Sequence, residues 1–233
     1  DSVDLALLES TANGITLNAG QATLVREMAT SSARLQLAIA PAGSGKTTAM
    51  RALASAWADG GGTIIGLAPS AAAADALRSQ IDTQTDTLAK LTHSLEQARQ
   101  TGAAMPDWVA GIDSSTLVVI DEAGMADTLS LDAAVSYILE RGGSVRLIGD
   151  DQQLAAIGAG GVLRDLARAH GAVRLDEVVR FDDPVEAEAS LALRDGERAA
   201  LGYYLDHDRV HVGDQQAVVD EVFDAWRREQ NAG

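Results

Sequence analysis

The chain has 233 residues, 46% hydrophobic and 22% charged, with a net charge of −16 and no cysteine. That balance suits one large globular domain or one and a half, and it excludes a disulfide framework or a thiolate metal site. The acidity argues against a general affinity for nucleic acid, so any groove for it must be local, built from a few arginines and backbone donors.

No apolar run reaches spanning length and no signal peptide is visible, so no membrane partner is expected and a cytoplasmic location fits. The chain begins at Asp1 without methionine, which suggests a piece of something longer. Sixteen arginines stand against two lysines, Lys46 and Lys90. That bias and the abundant alanine read as a GC-rich genome, or as a salt-loving organism, and neither bears on mechanism.

In chain order, short and nearly continuous apolar runs fall at 37–40, 63–68, 116–120, 144–148 and 173–175. Such runs are expected of parallel strands buried on both faces. Helical segments fall at 18–31, 46–59, 70–80, 87–100, 129–141, 161–170, 184–193 and 216–229. Strand alternating with helix predicts an α/β fold, a doubly wound and mainly parallel sheet flanked by helices. Residues 100–115 read as a surface excursion. Residues 184–233 lack strand signals and read as a helical extension or linker, leaving 1–183 as the main domain.

The string Ala40-Pro41-Ala42-Gly43-Ser44-Gly45-Lys46-Thr47-Thr48 reads as a phosphate-binding loop between the first strand and its helix. Gly43 and Gly45 let the backbone approach a phosphate and turn its N–H groups inward. Lys46 would reach the β- and γ-phosphates, and the Thr47 hydroxyl would ligate Mg²⁺. A chain that otherwise uses arginine has kept a lysine where a compact point charge is wanted. The pattern GxxxxGK[ST] places glycine where this chain has Ala40, and alanine lets the loop close if that residue needs no positive φ.

A second motif, Leu117-Val118-Val119-Ile120-Asp121-Glu122-Ala123, puts two acids at the C-terminal end of a buried strand. Ligands bind at that edge of open α/β sheets. Asp121 there would hold Mg²⁺, and Glu122 would position and deprotonate an attacking water. Read alone, the pair is a weak signal, because acidic turns after strands are common. A third motif, Leu147-Ile148-Gly149-Asp150-Asp151-Gln152-Gln153-Leu154, ends a strand in a polar turn, where Gln153 is able to touch a γ-phosphate or orient water. Read alone, that turn is equally a solvated loop.

Together these strings resemble the first motor domain of a superfamily 1 helicase of the RecD-like branch, most closely the helicase part of TraA/MobF-type conjugative relaxases. The resemblance implies a RecA-like P-loop NTPase fold with ATP and Mg²⁺ as ligands. It implies single-stranded DNA and a second motor domain as partners, and 5′ to 3′ movement. Leu17-Asn18-Ala19-Gly20-Gln21 resembles the upstream glutamine motif, which implies that Gln21 reads adenine. Ala42, Gly43, Ser44, Gly45, Lys46, Thr47 and Thr48 complete the nucleotide set. Ala68-Pro69-Ser70 and Thr87-Leu88 resemble DNA-contact motifs, which implies roles for Pro69, Ser70 and Thr87. Leu175-Asp176-Glu177-Val178-Val179-Arg180 resembles the motif ending in a phosphate-sensing arginine, so Arg180 joins Lys46, Glu122 and Gln153 as catalytic.

The chain departs from the family pattern in four places. Ala40 replaces a glycine. Ala71 to Ala74 are all alanine where a basic residue is often found. Phe181 follows Arg180 where glutamine is common, and strings of a second motor domain are absent. Rival readings are a P-loop ATPase switch without motor function, a vestigial domain that binds DNA without hydrolysis, and a RecD-type exonuclease subunit. His207 and His211, flanked by Asp206 and Asp208, raise a metal site, but 209–212 reads as a strand that alternates faces, which favours a solvated turn. Trp57, Trp108 and Trp226 read as core or interface residues.

Overall fold

The computed structural model describes residues 16–153, 161–175, 181 and 183–232. Six parallel strands form one sheet: β1 (Leu35–Ile39), β2 (Thr63–Ala68), β3 (Gln84–Thr87), β4 (Thr116–Ile120), β5 (Ser144–Gly149) and β6 (Val173–Arg174). Their order is β3-β2-β4-β5-β1-β6. The strand before the glycine loop therefore has β5 as one neighbour, and β5 has β4 as the next. Three loops that are far apart in sequence leave the sheet side by side at its C-terminal edge.

Both faces of the strands are apolar, and alternate residues enter two separate cores. Ala38, Leu117, Val119 and Ile148 pack on one face beneath α1 (Ala19–Thr30) and α2 (Lys46–Asp59). Leu37, Ile39, Val118, Ile120 and Leu147 pack on the other beneath α4 (Leu88–Thr101), α6 (Thr128–Glu140) and α7 (Val162–His170). The helix α3 (Ala71–Ile81) joins the first core through Leu77 and Ile81. Burial on both faces explains why these strands read as continuous apolar runs.

The strand β3 carries no apolar signal, because its sequence is Gln84-Thr85-Asp86-Thr87. It forms through tertiary contact. Thr85 is fully buried and its hydroxyl donates to the Ala74 carbonyl at 3.1 Å. A Cβ on Gly66 of β2 would lie 2.6 Å from the Thr85 methyl, so only glycine lets the two strands pair there. The segment 100–115 also differs from expectation. It holds a short helix, α5 (Asp107–Ala110), and returns to the second core with Val109 and Ile112 fully buried. Trp57 is structural: its indole N–H donates to the Ser115 carbonyl at 2.9 Å and its ring fills the space that a Cβ on Gly62 would need.

One buried charge stands out. Arg146 of β5 is 1% exposed, and its guanidinium donates to the carbonyls of Met28 (2.9 Å), Val145 (3.0 Å) and Ala33 (3.3 Å). Burial pushes its pKa down to about 10. The side chain ties the end of α1 to the sheet.

The chain divides into two compact units, Asp1–Arg180 and Phe181–Gly233. The second contains α8 (Pro184–Arg194), α9 (Leu201–Asp206) and α10 (Gln215–Ala232). Asp183 caps α8 and accepts the Tyr203 hydroxyl at 2.7 Å, which pushes the Tyr203 pKa up to about 12. Residues 209–212 form no strand. Arg209 pairs with Glu186, and His211 lies 2.8 Å from Glu221. His207 stacks on Tyr203, and the described residues contain no cluster of metal-ligating side chains. Among them, no helix is long and apolar enough to cross a membrane.

Truncating Arg146 leaves a cavity and several carbonyls without a donor. Arg146→Ala is expected to lower the free energy of unfolding by about 2–5 kcal/mol, read as a lower midpoint in a urea titration.

Candidate functional site

Helix α2 begins directly at the loop and has no capping side chain. Its first N–H groups and its positive dipole end therefore face the space above β1. Gly43 (φ 82°) and Gly45 (φ 77°) take the left-handed conformation, which favours glycine. Ala40 is not among the positive-φ residues. It continues β1 with its N–H bonded to the Gly149 carbonyl at 2.9 Å, so alanine fits there without strain.

Lys46 is held by both acids of the second motif, with Nζ 3.0 Å from Asp121 Oδ1 and 2.6 Å from Glu122 Oε1. Burial pushes its pKa down, but the two carboxylates outweigh burial and hold it above the ordinary lysine range. Asp121 Oδ1 also accepts the Glu122 backbone N–H at 2.8 Å. Glu122 itself has φ 51°, a conformation that costs a non-glycine residue about 1–3 kcal/mol. The turn aims one carboxylate oxygen at Lys46 and leaves Oε2 buried without a partner. Ser44 Oγ in the loop is likewise buried without a partner.

A cavity of about 490 Å³ joins these groups. The loop contributes Pro41, Ala42, Gly43, Gly45, Lys46 and Thr47, the second motif contributes Asp121 and Glu122, and the third contributes Gln153. The opposite wall is α3, through Ala73, Ala76, Leu77 and Gln80. Sequence reading misses this wall. Nothing local marks Gln80, and only the strand order brings α3 beside the loop. Gln80 Oε1 accepts the Thr47 hydroxyl at 3.3 Å, and its carbonyl accepts from Arg51 Nε at 2.8 Å.

Other expected residues sit around rather than in the cavity. Ser44 is fully buried, and Thr48 lies in the first turn of α2 with its N–H on the Gly45 carbonyl. Gln21 is 5% exposed. It closes a capping box with Asn18, and its Nε2 donates to the Gly45 carbonyl at 3.2 Å, which ties α1 to the loop. Ser70 and Thr87 are the N-caps of α3 and α4, accepting from Ala73 (3.2 Å) and Lys90 (3.1 Å). Ala68 and Thr87 are register partners, so Pro69, Ser70 and Thr87 stand together at the edge of the sheet. Arg180 and Leu154 lie outside the described residues.

The second and third motifs touch directly. A Cβ on Gly124 would lie 2.7 Å from the Asp150 carbonyl oxygen, and one on Gly149 would lie 3.1 Å from the Gly124 nitrogen.

A lysine-closing glycine loop after β1, an acid pair after β4 and a polar turn after the intervening β5 define a RecA-like P-loop NTPase domain. A family model described as an AAA domain matches residues 16–215, and the chain belongs to that family. It is 30% identical over 164 residues to the conjugal transfer protein TraA of Rhizobium radiobacter, covering 70% of this chain and 14% of that protein. It is 33% identical over 195 residues to the multifunctional conjugation protein TraI of Escherichia coli, covering 80% of this chain and 11% of that protein. The chain thus spans a small part of the curated relatives it matches. The crystal structure of Pif1 helicase from Candida albicans matches with a TM-score of 0.62 at 16% identity, over 86% of this chain and 50% of that one, a likeness of fold. The chain is an AAA domain homologous to these conjugation proteins.

A lysine whose folded-state pKa is raised stabilises the fold fully below the ordinary lysine value of about 10.4, and that contribution is lost as pH rises through the raised value. Lys46→Met removes this term. Its thermal midpoint is expected to fall less steeply above pH 10 than that of the unaltered chain, as followed by circular dichroism.

Proposed function

We propose that this chain is an ATP-hydrolysing motor domain of a DNA helicase, of the kind found in conjugative relaxases, and that it contacts single-stranded DNA. One observation carries the reading: Lys46 lies against Asp121 and Glu122 at the uncapped start of α2, with Glu122 Oε2 left without a partner. The residues fit a nucleotide with Mg²⁺. Thr47 and Asp121 are hard oxygen donors, and Mg²⁺ is usually bound by one or two carboxylates together with substrate phosphates. The partnerless Ser44 Oγ suits a loop that receives phosphate oxygens.

In this mechanism Lys46 leaves the acids for the β,γ-oxygens. Its departure frees Glu122 to take a proton from the attacking water. Gln153 orients that water, and Arg180 senses the γ-phosphate. Thr47 and Asp121 would hold the metal, which would neutralise charge on the phosphates. Gln21 supports adenine recognition. Its amide keeps one N–H and one lone pair beyond its bonds to Asn18 and Gly45, and a Gln amide matches the N6/N7 edge of adenine.

Pro69, Ser70 and Thr87 would form one wall of a groove for a single strand, an arrangement that lets an acidic chain bind DNA through local donors. Movement 5′ to 3′ rests on the resemblance to RecD-like motors. That the chain covers half of the Pif1 chain supports a second motor domain as the partner that completes the cleft. The domain proper is 1–183, with 184–233 leading toward that partner. A cytoplasmic location is part of the same reading. For the 233 residues alone we expect weak ATP binding and little unwinding.

Fluorescent-nucleotide binding and phosphate release test the assignment. Lys46→Ala is expected to weaken binding. Glu122→Gln should bind normally and lose about a hundredfold or more in turnover, so a wild-type rate in that variant would sink the base assignment. Hydrolysis indifferent to single-stranded DNA would favour an ATPase switch over a motor. Efficient strand separation by this chain alone would overturn its dependence on a second domain.

A further inference from the structure

The Thr47 hydroxyl has one hydrogen and two lone pairs. In the ATPase reading, on which this inference rests, a lone pair goes to Mg²⁺, so the hydrogen must go elsewhere. A helical threonine commonly gives it to the carbonyl three or four residues back. Here it goes to the side-chain oxygen of Gln80 at 3.3 Å.

We propose that Gln80 is a positioning residue for the divalent cation: by accepting the Thr47 hydrogen it turns the hydroxyl lone pairs toward the cavity. Two further observations support it. Gln80 lines the same cavity as Lys46, Asp121 and Glu122. Its backbone is also fixed, because Arg51 Nε donates to its carbonyl at 2.8 Å. Thr47 and Arg51 are four residues apart on α2 and so share a face. One helix therefore grips Gln80 at two points, through the side chain and through the main chain. Outer-sphere partners of this kind orient ligands, and their loss typically weakens metal affinity by about 10- to 100-fold.

The test measures binding of a fluorescent, non-hydrolysable ATP analogue across a Mg²⁺ titration and in EDTA. Gln80→Met keeps the length of the side chain and removes the acceptor, whereas Gln80→Glu keeps an acceptor. Gln80→Met is expected to raise the Mg²⁺ concentration for half-maximal effect by about tenfold, with affinity in EDTA unchanged. Gln80→Glu should stay close to wild type or shift to lower Mg²⁺.

An unchanged half-saturation in Gln80→Met overturns the inference. So does an equal loss of affinity in EDTA, which assigns Gln80 a structural role, or a Gln80→Glu variant that behaves as Gln80→Met does. If nucleotide binding by the unaltered chain ignores Mg²⁺ altogether, the metal-dependent ATP reading fails instead.

Discussion

An ammonium group between two carboxylates is the contact on which this site depends. Asp121 and Glu122 are adjacent, and in a chain of net charge −16 their mutual repulsion has little to relieve it except Lys46. The dipole end of α2 adds roughly half a positive charge beside them. The pairing also demands a topology. Lys46 follows β1 and the acids follow β4, so they meet only because a single strand, β5, separates the two in the sheet. With β4 at the far edge, each motif would remain intact and no cavity would form.

Around that contact the loop is fixed by neutral groups. Gln21 holds it from α1 through the Gly45 carbonyl, and Gln80 holds it from α3 through the Thr47 hydroxyl. Neither amide adds charge, so the electrostatics of the cavity stay with Lys46 and the acids. The left-handed backbone at Glu122 shows where the fold gives up local stability. The same turn that strains this residue leaves one of its oxygens, Oε2, buried without a partner.

Much of this was readable from residues alone. The apolar runs at 63–68 and 116–120 and the helix at 46–59 match the structure to the residue, because burial on both faces and a glycine boundary leave strong local signals. The loop and both acids were legible for another reason: they are short strings of particular residue types in a fixed order, and the structure brings them together at Lys46. The strand of Gln84 to Thr87 was not, since its pairing depends on a glycine opposite and a buried threonine rather than on its own hydrophobicity. Val109 and Ile112 were missed because the stretch around them, Trp108-Val109-Ala110-Gly111-Ile112, is too short to show a helix or strand period. The α3 wall of the cavity was out of reach because strand order is a global property. The strand expected at 209–212 failed because alternation alone does not supply a neighbour to pair with.

Gly124 and Gly149 approach so closely that no methyl group fits between the turns that carry them. Two turns in such contact behave as one mechanical part. A displacement of Glu122 would be passed to the turn bearing Gln153 through this backbone contact. Coupling of that kind is steric, so it is insensitive to salt and pH, unlike the charged contact at the centre of the site.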